Sequence, residues 1–151
     1  MSGRRLRFPR ARRLRGRGVF KEIIEARARV DLGIFSVHAK PSTSGEHRIG
    51  ISIGRPVGNA ARRNRIKRLI REAFRLGQHD FPSEPPAPYD LVVVVRPRRA
   101  NADAGDADAA DSLPVYQRAL HDALVRVHAI WSKRRKTSTL DAGGEDSGDT
   151  R

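Results

Sequence analysis

Apolar and polar positions alternate along this chain with two different periods, and the change of period marks the elements. Val19, Phe20, Ile23, Ile24 and Ala28 recur at helical spacing, which predicts a short helix from about Gly18 to Ala28. From Leu32 to Ala39 the period is two, with Gly33, Phe35, Val37 and Ala39 on one side and Leu32, Ile34, Ser36 and His38 on the other, so this stretch reads as a strand. Pro41 to Gly45 supplies the residues of a hairpin loop. The next strand, about His47 to Gly54, puts Ile49, Ile51 and Ile53 on one face and Arg48, Gly50, Ser52 and Gly54 on the other. A face that bare admits close approach, either by a ligand lying across the sheet or by a helix packed tightly onto it, and the strand alone favours neither.

Gly58-Asn59 ends the extended stretch, with Asn59 placed as an N-cap, and a long helix follows to about Gly77. Its apolar residues Ile66, Leu69, Ile70, Ala73, Phe74 and Leu76 form one stripe. Phe81 to Pro88 holds four prolines in eight residues and is a loop. Tyr89 to Arg96 is a continuous β-branched run suited to a central strand covered on both faces. Leu113, Tyr116, Leu120, Leu124, Val127 and Trp131 then predict a closing helix that ends in Lys133-Arg134-Arg135-Lys136. The expected order is helix, strand, strand, helix, strand, helix: an α/β chain of the two-layer α+β kind.

Charge changes the picture more than length does. The 151 residues suit one domain, but 31 Lys+Arg against 17 Asp+Glu give a net charge of +14, which calls for a polyanionic partner. Eight arginines and no acid lie between Arg4 and Arg17, a block that repels itself and predicts a disordered basic arm over residues 1–17. Such a start differs from an organellar transit peptide, which is Ser-rich. Eight of the acids sit in two Ala/Gly-rich stretches, Asp103 to Asp111 and Asp141 to Asp149. They read as an acidic loop insertion at about 100–112 and a disordered acidic tail over 137–151. A single domain over 18–136 remains. Absence of cysteine excludes a disulfide scaffold, Cys-ligated zinc and thiol catalysis, and points to an intracellular setting. The longest apolar run, Leu91 to Val95, is far too short to span a bilayer.

Candidate chemistry concentrates on the second helix. Arg62, Arg63, Arg65, Lys67, Arg68, Arg71 and Arg75, with Asn64 among them, face one acid, Glu72. Arg65 and Arg68 fall on one flank of the polar arc, and Asn64, Lys67, Arg71 and Arg75 on the other. Like charges one turn apart cost a few tenths of a kcal/mol, a penalty that a phosphate backbone reverses. The five histidines, His38, His47, His79, His121 and His128, show no catalytic or metal-ligand spacing, and no P-loop, HExxH or GxSxG occurs.

The run Arg63-Asn64-Arg65-Ile66-Lys67-Arg68 resembles the signature of the bacterial ribonuclease P protein subunit. The resemblance extends through Arg48 to Gly54, Pro56 to Ala60 and Tyr89 to Pro97, and takes in Arg13-Leu14-Arg15 and Phe20. It implies a mixed sheet with three helices and a rare left-handed βαβ crossover, where topology rules favour the right-handed form. It further implies a non-catalytic protein partner of the ribonuclease P RNA, which aids removal of the 5′ leader from precursor tRNA while Mg2+ serves the RNA-containing holoenzyme. No cofactor of the protein's own, a cytoplasmic location, and a protein monomeric apart from the RNA are expected with it. The helix carrying Arg62 to Arg75 would contact that RNA. A leader groove between the first helix and the sheet would use Phe20, Phe35, Gly50, Ser52 and Arg55, with aromatic stacking and a cationic rim. For both phenylalanines simple core packing is the competing reading. This chain has Ile24 where family members often carry a second aromatic, and Pro56 where a lysine is common. A structural RNA binder such as a ribosomal protein, or a DNA-binding module, would account for the basic helix alone.

Overall fold

The computed structural model describes residues 12–97 and 111–145. In order, they form α1 (Arg17–Glu25), β1 (Arg29–Asp31), β2 (Phe35–Pro41), β3 (Arg48–Ile53), a short 3-10 turn (Arg55–Val57), α2 (Ala60–Gly77), β4 (Tyr89–Val95) and α3 (Leu113–Glu145). The strands make one mixed sheet in the order β1-β2-β4-β3. β1 and β4 run antiparallel to β2, whereas β3 and β4 are parallel neighbours joined through α2.

Four strands replace the three expected, because Arg29–Asp31, between the expected helix and strand, pairs with β2 in a tight hairpin. The Gly33 N–H donates to Asp31 Oδ1 at 2.9 Å and the Leu32 N–H to the Phe35 carbonyl at 2.9 Å. Gly33 has φ 86, a left-handed value that suits glycine. Leu32 to Ile34 are therefore turn, and α1 ends before Ala28.

Both faces of the sheet are covered, but unequally. On one side Phe35, Val37, Ala39, Ile49, Leu91 and Val93 meet Ile66, Ile70 and Phe74 of α2 and Tyr116, Leu120 and Leu124 of α3. On the other, Ile23 of α1 and Leu14 close over Val92, with Val19, Phe20 and Val94 at the margin. β4, buried almost throughout, is the central strand that its apolar run predicts. One charged pair crosses this sheet: Arg48 donates to the buried Asp90 carboxylate through Nε at 2.7 Å and a terminal nitrogen at 2.6 Å, on directly paired residues of β3 and β4. The two hydrogen bonds hold the Arg48 guanidinium above its ordinary pKa.

Several boundaries differ from expectation. Residues 1–11 of the predicted basic arm lie outside the described residues, but from Arg12 the chain belongs to the fold. Arg12 pairs with Glu46 at 3.4 Å, and the Leu14 N–H donates to the Ile49 carbonyl at 2.9 Å beside β3. Most of the acidic insertion, residues 100–110, is likewise outside the described residues. Asp111, read from sequence as part of it, is buried, because it accepts from the Tyr116 hydroxyl at 2.9 Å and lies 3.5 Å from Arg62. α3 runs on to Glu145, so 137–145 is helix rather than disordered tail; no proline follows Pro114 of its first turn, and the Thr137 hydroxyl donates to the Lys133 carbonyl at 3.0 Å. Residues 146–151 lie outside the described residues.

Phe35 is corrected outright. It is 1% exposed, with its ring 6.0 Å from Tyr116, and it faces the α2/α3 layer rather than a groove. The alternation of β2 fixes this, since Phe35 shares its side with Val37 and Ala39, and it is Ser36, His38 and Lys40 that face α1.

Candidate nucleic-acid interface

Helix α2 begins as its sequence requires, with Asn59 Oδ1 accepting the Arg62 N–H at 2.9 Å and satisfying one orphan donor of the first turn. Ile66, Ile70, Ala73 and Phe74 turn into the core, which directs the polar arc outward. Asn64, Arg65 and Arg68 are exposed along it. Lys67 and Arg71 are half-buried on the flank that turns toward β3 and α1.

The cations of this helix are not equivalent. Arg75 holds Glu72 one turn away through both ends of its guanidinium, and that pairing keeps the Glu72 carboxyl below the usual carboxylate range. Arg62 turns to Asp111. Both have a carboxylate beside them, which reduces what they offer an outside anion. Arg63 is half-buried, and its Nε has no hydrogen-bond partner among the described residues.

Lys67 and Arg71 line an open recess of about 150 Å3 between α2, α1 and β3. Arg13 and Arg15 complete its cationic rim, and Leu14, Phe20, Ile49, Gly50 and Ile51 form its apolar part. Among the described residues no carboxylate lines it. Partial burial, and then the charge of Arg13, push the Arg71 guanidinium below its ordinary pKa. It remains charged at neutral pH, so the recess holds crowded positive charge that an anion would relieve.

Phe20 lies directly on the bare strand. A Cβ at Gly50 would sit 2.5 Å from two carbons of its ring and 3.3 Å from Leu14 Cβ, so only glycine lets the ring come this close. The bare face is thus partly filled by its own helix, while the half-buried Phe20 still borders the recess. Ser52 and Arg55 are exposed further along, in β3 and the 3-10 turn, and do not line the recess. The structure therefore unites Phe20 and Gly50 with Lys67 and Arg71, and leaves Phe35, Ser52 and Arg55 apart. Sequence reasoning takes Arg13, Leu14 and Arg15 for arm and misses them as walls of the recess. Leu14, an apolar residue within an arginine run, is the available signal.

The histidines do not assemble. His47 is held by two hydrogen bonds: its Nδ1 accepts the Tyr89 N–H and its Nε2 meets the Pro82 carbonyl, each at 3.1 Å. Burial lowers its pKa. His128 Nδ1 lies 2.7 Å from the Tyr89 hydroxyl, whose pKa burial pushes up to about 12. Among the described residues no group of three or more His, Cys, Asp or Glu converges as a metal site would require, and no helix is long and apolar enough to cross a membrane.

Comparison with known proteins adds to this geometry. Residues 8–113 match the family model described as Ribonuclease P. The chain is 39% identical over 100 residues to the ribonuclease P protein component of Photorhabdus laumondii, covering 66% of this chain and 80% of that one. It is 35% identical over 123 residues to that of Cronobacter sakazakii, covering 81% and 97%. Among solved structures, the ribonuclease P protein of Thermotoga maritima superposes with a TM-score of 0.60 at 27% identity, covering 76% of this chain and 96% of that one.

Proposed function

The chain belongs to the ribonuclease P protein family, and from that membership we propose that it binds ribonuclease P RNA through α2 and the 5′ leader of precursor tRNA through the recess beside α1. Family membership carries the coarser role, that of a protein component of the endoribonuclease that processes tRNA 5′ ends. The observation that carries the finer one is the recess itself. It sets an aromatic ring among four cations, Arg13, Arg15, Lys67 and Arg71, with no carboxylate among the described residues of its lining.

Those features suit a flexible, singly stranded polyanion. Phosphates meet the rim, while stacking on Phe20 is worth about 1–3 kcal/mol per base and tolerates any base. Arg65 and Arg68, exposed on the outward side of α2, meet the folded RNA. Guanidinium groups suit that contact because one fork binds two phosphate oxygens. Positive charge placed between two RNAs screens their repulsion and raises substrate affinity. Strand cleavage belongs to the RNA subunit on this reading, with Mg2+ serving the RNA-containing holoenzyme and no cofactor held by the protein. The protein acts in the cytoplasm and is monomeric apart from the RNA.

Reconstitution with ribonuclease P RNA at low magnesium tests this directly. Leader removal should rise on addition of the chain, and Arg65→Ala with Arg68→Ala should weaken RNA affinity and flatten its salt dependence, by roughly 0.7–0.9 in log–log slope for every phosphate no longer neutralised. An unchanged slope, or cleavage of precursor tRNA by the protein alone, would refute it.

A further inference from the structure

The short helix beside the recess is gripped at its far end by the last helix. α1 has nine residues, of which Ile23 alone is buried, and its N-cap, Gly16, supplies no side-chain hydrogen bond. A helix of that length is marginal by itself, so its direction depends on what holds its two ends. Toward the N-terminal end, the Phe20 ring lies on Gly50. At the other end the last turn carries no basic residue of its own to meet the free carbonyls. Arg134 of α3, 108 residues further along the chain, meets them instead. Its two terminal nitrogens donate to the carbonyls of Ala26 at 2.7 Å and Arg27 at 3.0 Å.

That guanidinium is itself held in place. It lies 4.7 Å from the centre of the Trp131 ring, one turn earlier in α3, and Trp131 Nε1 donates to the Ala39 carbonyl of β2 at 3.0 Å. The Ala39 N–H in turn donates to the Ala28 carbonyl at 3.1 Å. The successive carbonyls of Ala26, Arg27 and Ala28 are thus tied to α3 and β2, just where Arg27, at φ 57, turns the chain out of the helix. A lysine would bring the same charge but lacks the planar fork that reaches two carbonyls at once and stacks on a ring.

We propose that Arg134, seated on Trp131, is a positioning residue for RNA in the recess: it fixes the C-terminal end of α1 and so sets the angle at which that helix presents Phe20. This role rests on the reading of the recess as the leader site. From Ala26 back to Phe20 is roughly 9 Å of helix, and a change of about 10–20° in its direction moves the ring by about 1.5–3 Å, against the ~0.5 Å within which a recognition group must be held. Arg134 itself touches no RNA. Ile23, packed with Leu14 and Val92, keeps α1 on the sheet without it, so what the clamp governs is the aim of the ring.

Holoenzyme should be reconstituted from ribonuclease P RNA with the unaltered full-length chain, Arg134→Ala, Phe20→Ala and the two combined, and its binding to precursor tRNA with and without the leader followed across a KCl series. Arg134→Ala should lose about fivefold in affinity for the leader-bearing substrate, with leaderless substrate bound as before and the salt slope unchanged. On the Phe20→Ala background it should add no further loss, because the ring it aims is gone. Arg134→Lys, which keeps the charge but not the fork, should show the same pattern at smaller amplitude, so the outcome can be read even if the alanine variant is unstable. A slope flatter by roughly 0.7–0.9 would mark a direct phosphate contact instead. Equal losses on both substrates, or losses that add to those of Phe20→Ala, would mark a purely structural part; any of these results would overturn the positioning role. If Phe20→Ala lowers leader affinity and neither Arg134 variant does, that role alone falls. If Phe20→Ala leaves leader affinity intact, the leader reading of the recess falls and the role of Arg134 with it.

Discussion

Two phenylalanines on opposite faces of one sheet divide the molecule's tasks. Phe35 is sealed between β2 and α3, 1% exposed and stacked near Tyr116. Phe20 is half open, with its ring laid on Gly50 and cations around it. The sealed face carries the larger apolar cluster, so most of the burial that stabilises the fold is there. On the open face, among the described residues, Leu14, Ile23 and Val92 are buried beside a cleft whose lining includes Arg13, Arg15, Lys67 and Arg71. On the proposed reading the same residue type serves stability on one face and recognition on the other, and the difference is set by what packs above it.

Substitution separates the two roles. Phe35→Ala should cost about 3–5 kcal/mol of stability, read as a lower urea midpoint at unchanged m-value, and RNA affinity should fall only as the folded fraction falls. Phe20→Ala should cost less, about 2 kcal/mol of stability, because the ring is only partly buried. Its affinity for leader-bearing precursor tRNA should nevertheless drop by about 1–3 kcal/mol, or roughly 5- to 150-fold, while precursor lacking the leader binds as before. Equal losses on the two substrates would place Phe20 in the core alone. Gly50→Ala should act more mildly still. The new methyl pushes the far end of the Phe20 ring aside at a cost of about 1 kcal/mol, and leader affinity falls several-fold. Were leader affinity to survive that shift, the ring's position on the strand would not matter.

Acid should bring the smallest change, and it acts away from the recess. Both nitrogens of His47 are engaged in its neutral form, and burial sets its folded pKa below 6.5. As pH falls through 6.5 the unfolded chain takes up the proton first, so stability is complete above that value and is lost from there down to the lowered folded pKa. His38 is shifted in the same direction, by burial and then by Arg29. Urea midpoints measured from about pH 8 to about pH 5 should decline below 6.5, and less so in His47→Gln. A flat profile would mean that His47 is not held neutral.

Much of this is readable in the residues themselves. α2 announces itself by an N-cap, a stripe and a basic arc, and β4 by its unbroken apolar run, since each signal is local and long. β1 is invisible because three residues carry no period; Arg29–Asp31 is a strand only through its pairing with β2. The alternation of β2 sorts Phe35 from Ser36 correctly but does not say which side α1 covers, because that depends on the whole topology. Leu14 vanishes among arginines for a similar reason, as its burial comes from a partner 35 residues away, Ile49. The recess is half legible: Phe20, Gly50, Lys67 and Arg71 each stand out separately, but nothing local shows that they meet.

The Leu14–Ile49 hydrogen bond bears on behaviour in the absence of RNA. β3 stands at one margin of the sheet, and an uncovered margin offers a ladder of amide groups to any other extended chain. The segment around Arg13 and Leu14 occupies part of that ladder. The opposite margin is the three-residue β1, whose Arg29 and Asp31 are charged and exposed. With one border capped from within and the other short and ionic, aggregation through strand-by-strand addition finds little purchase on this protein before its nucleic acid arrives.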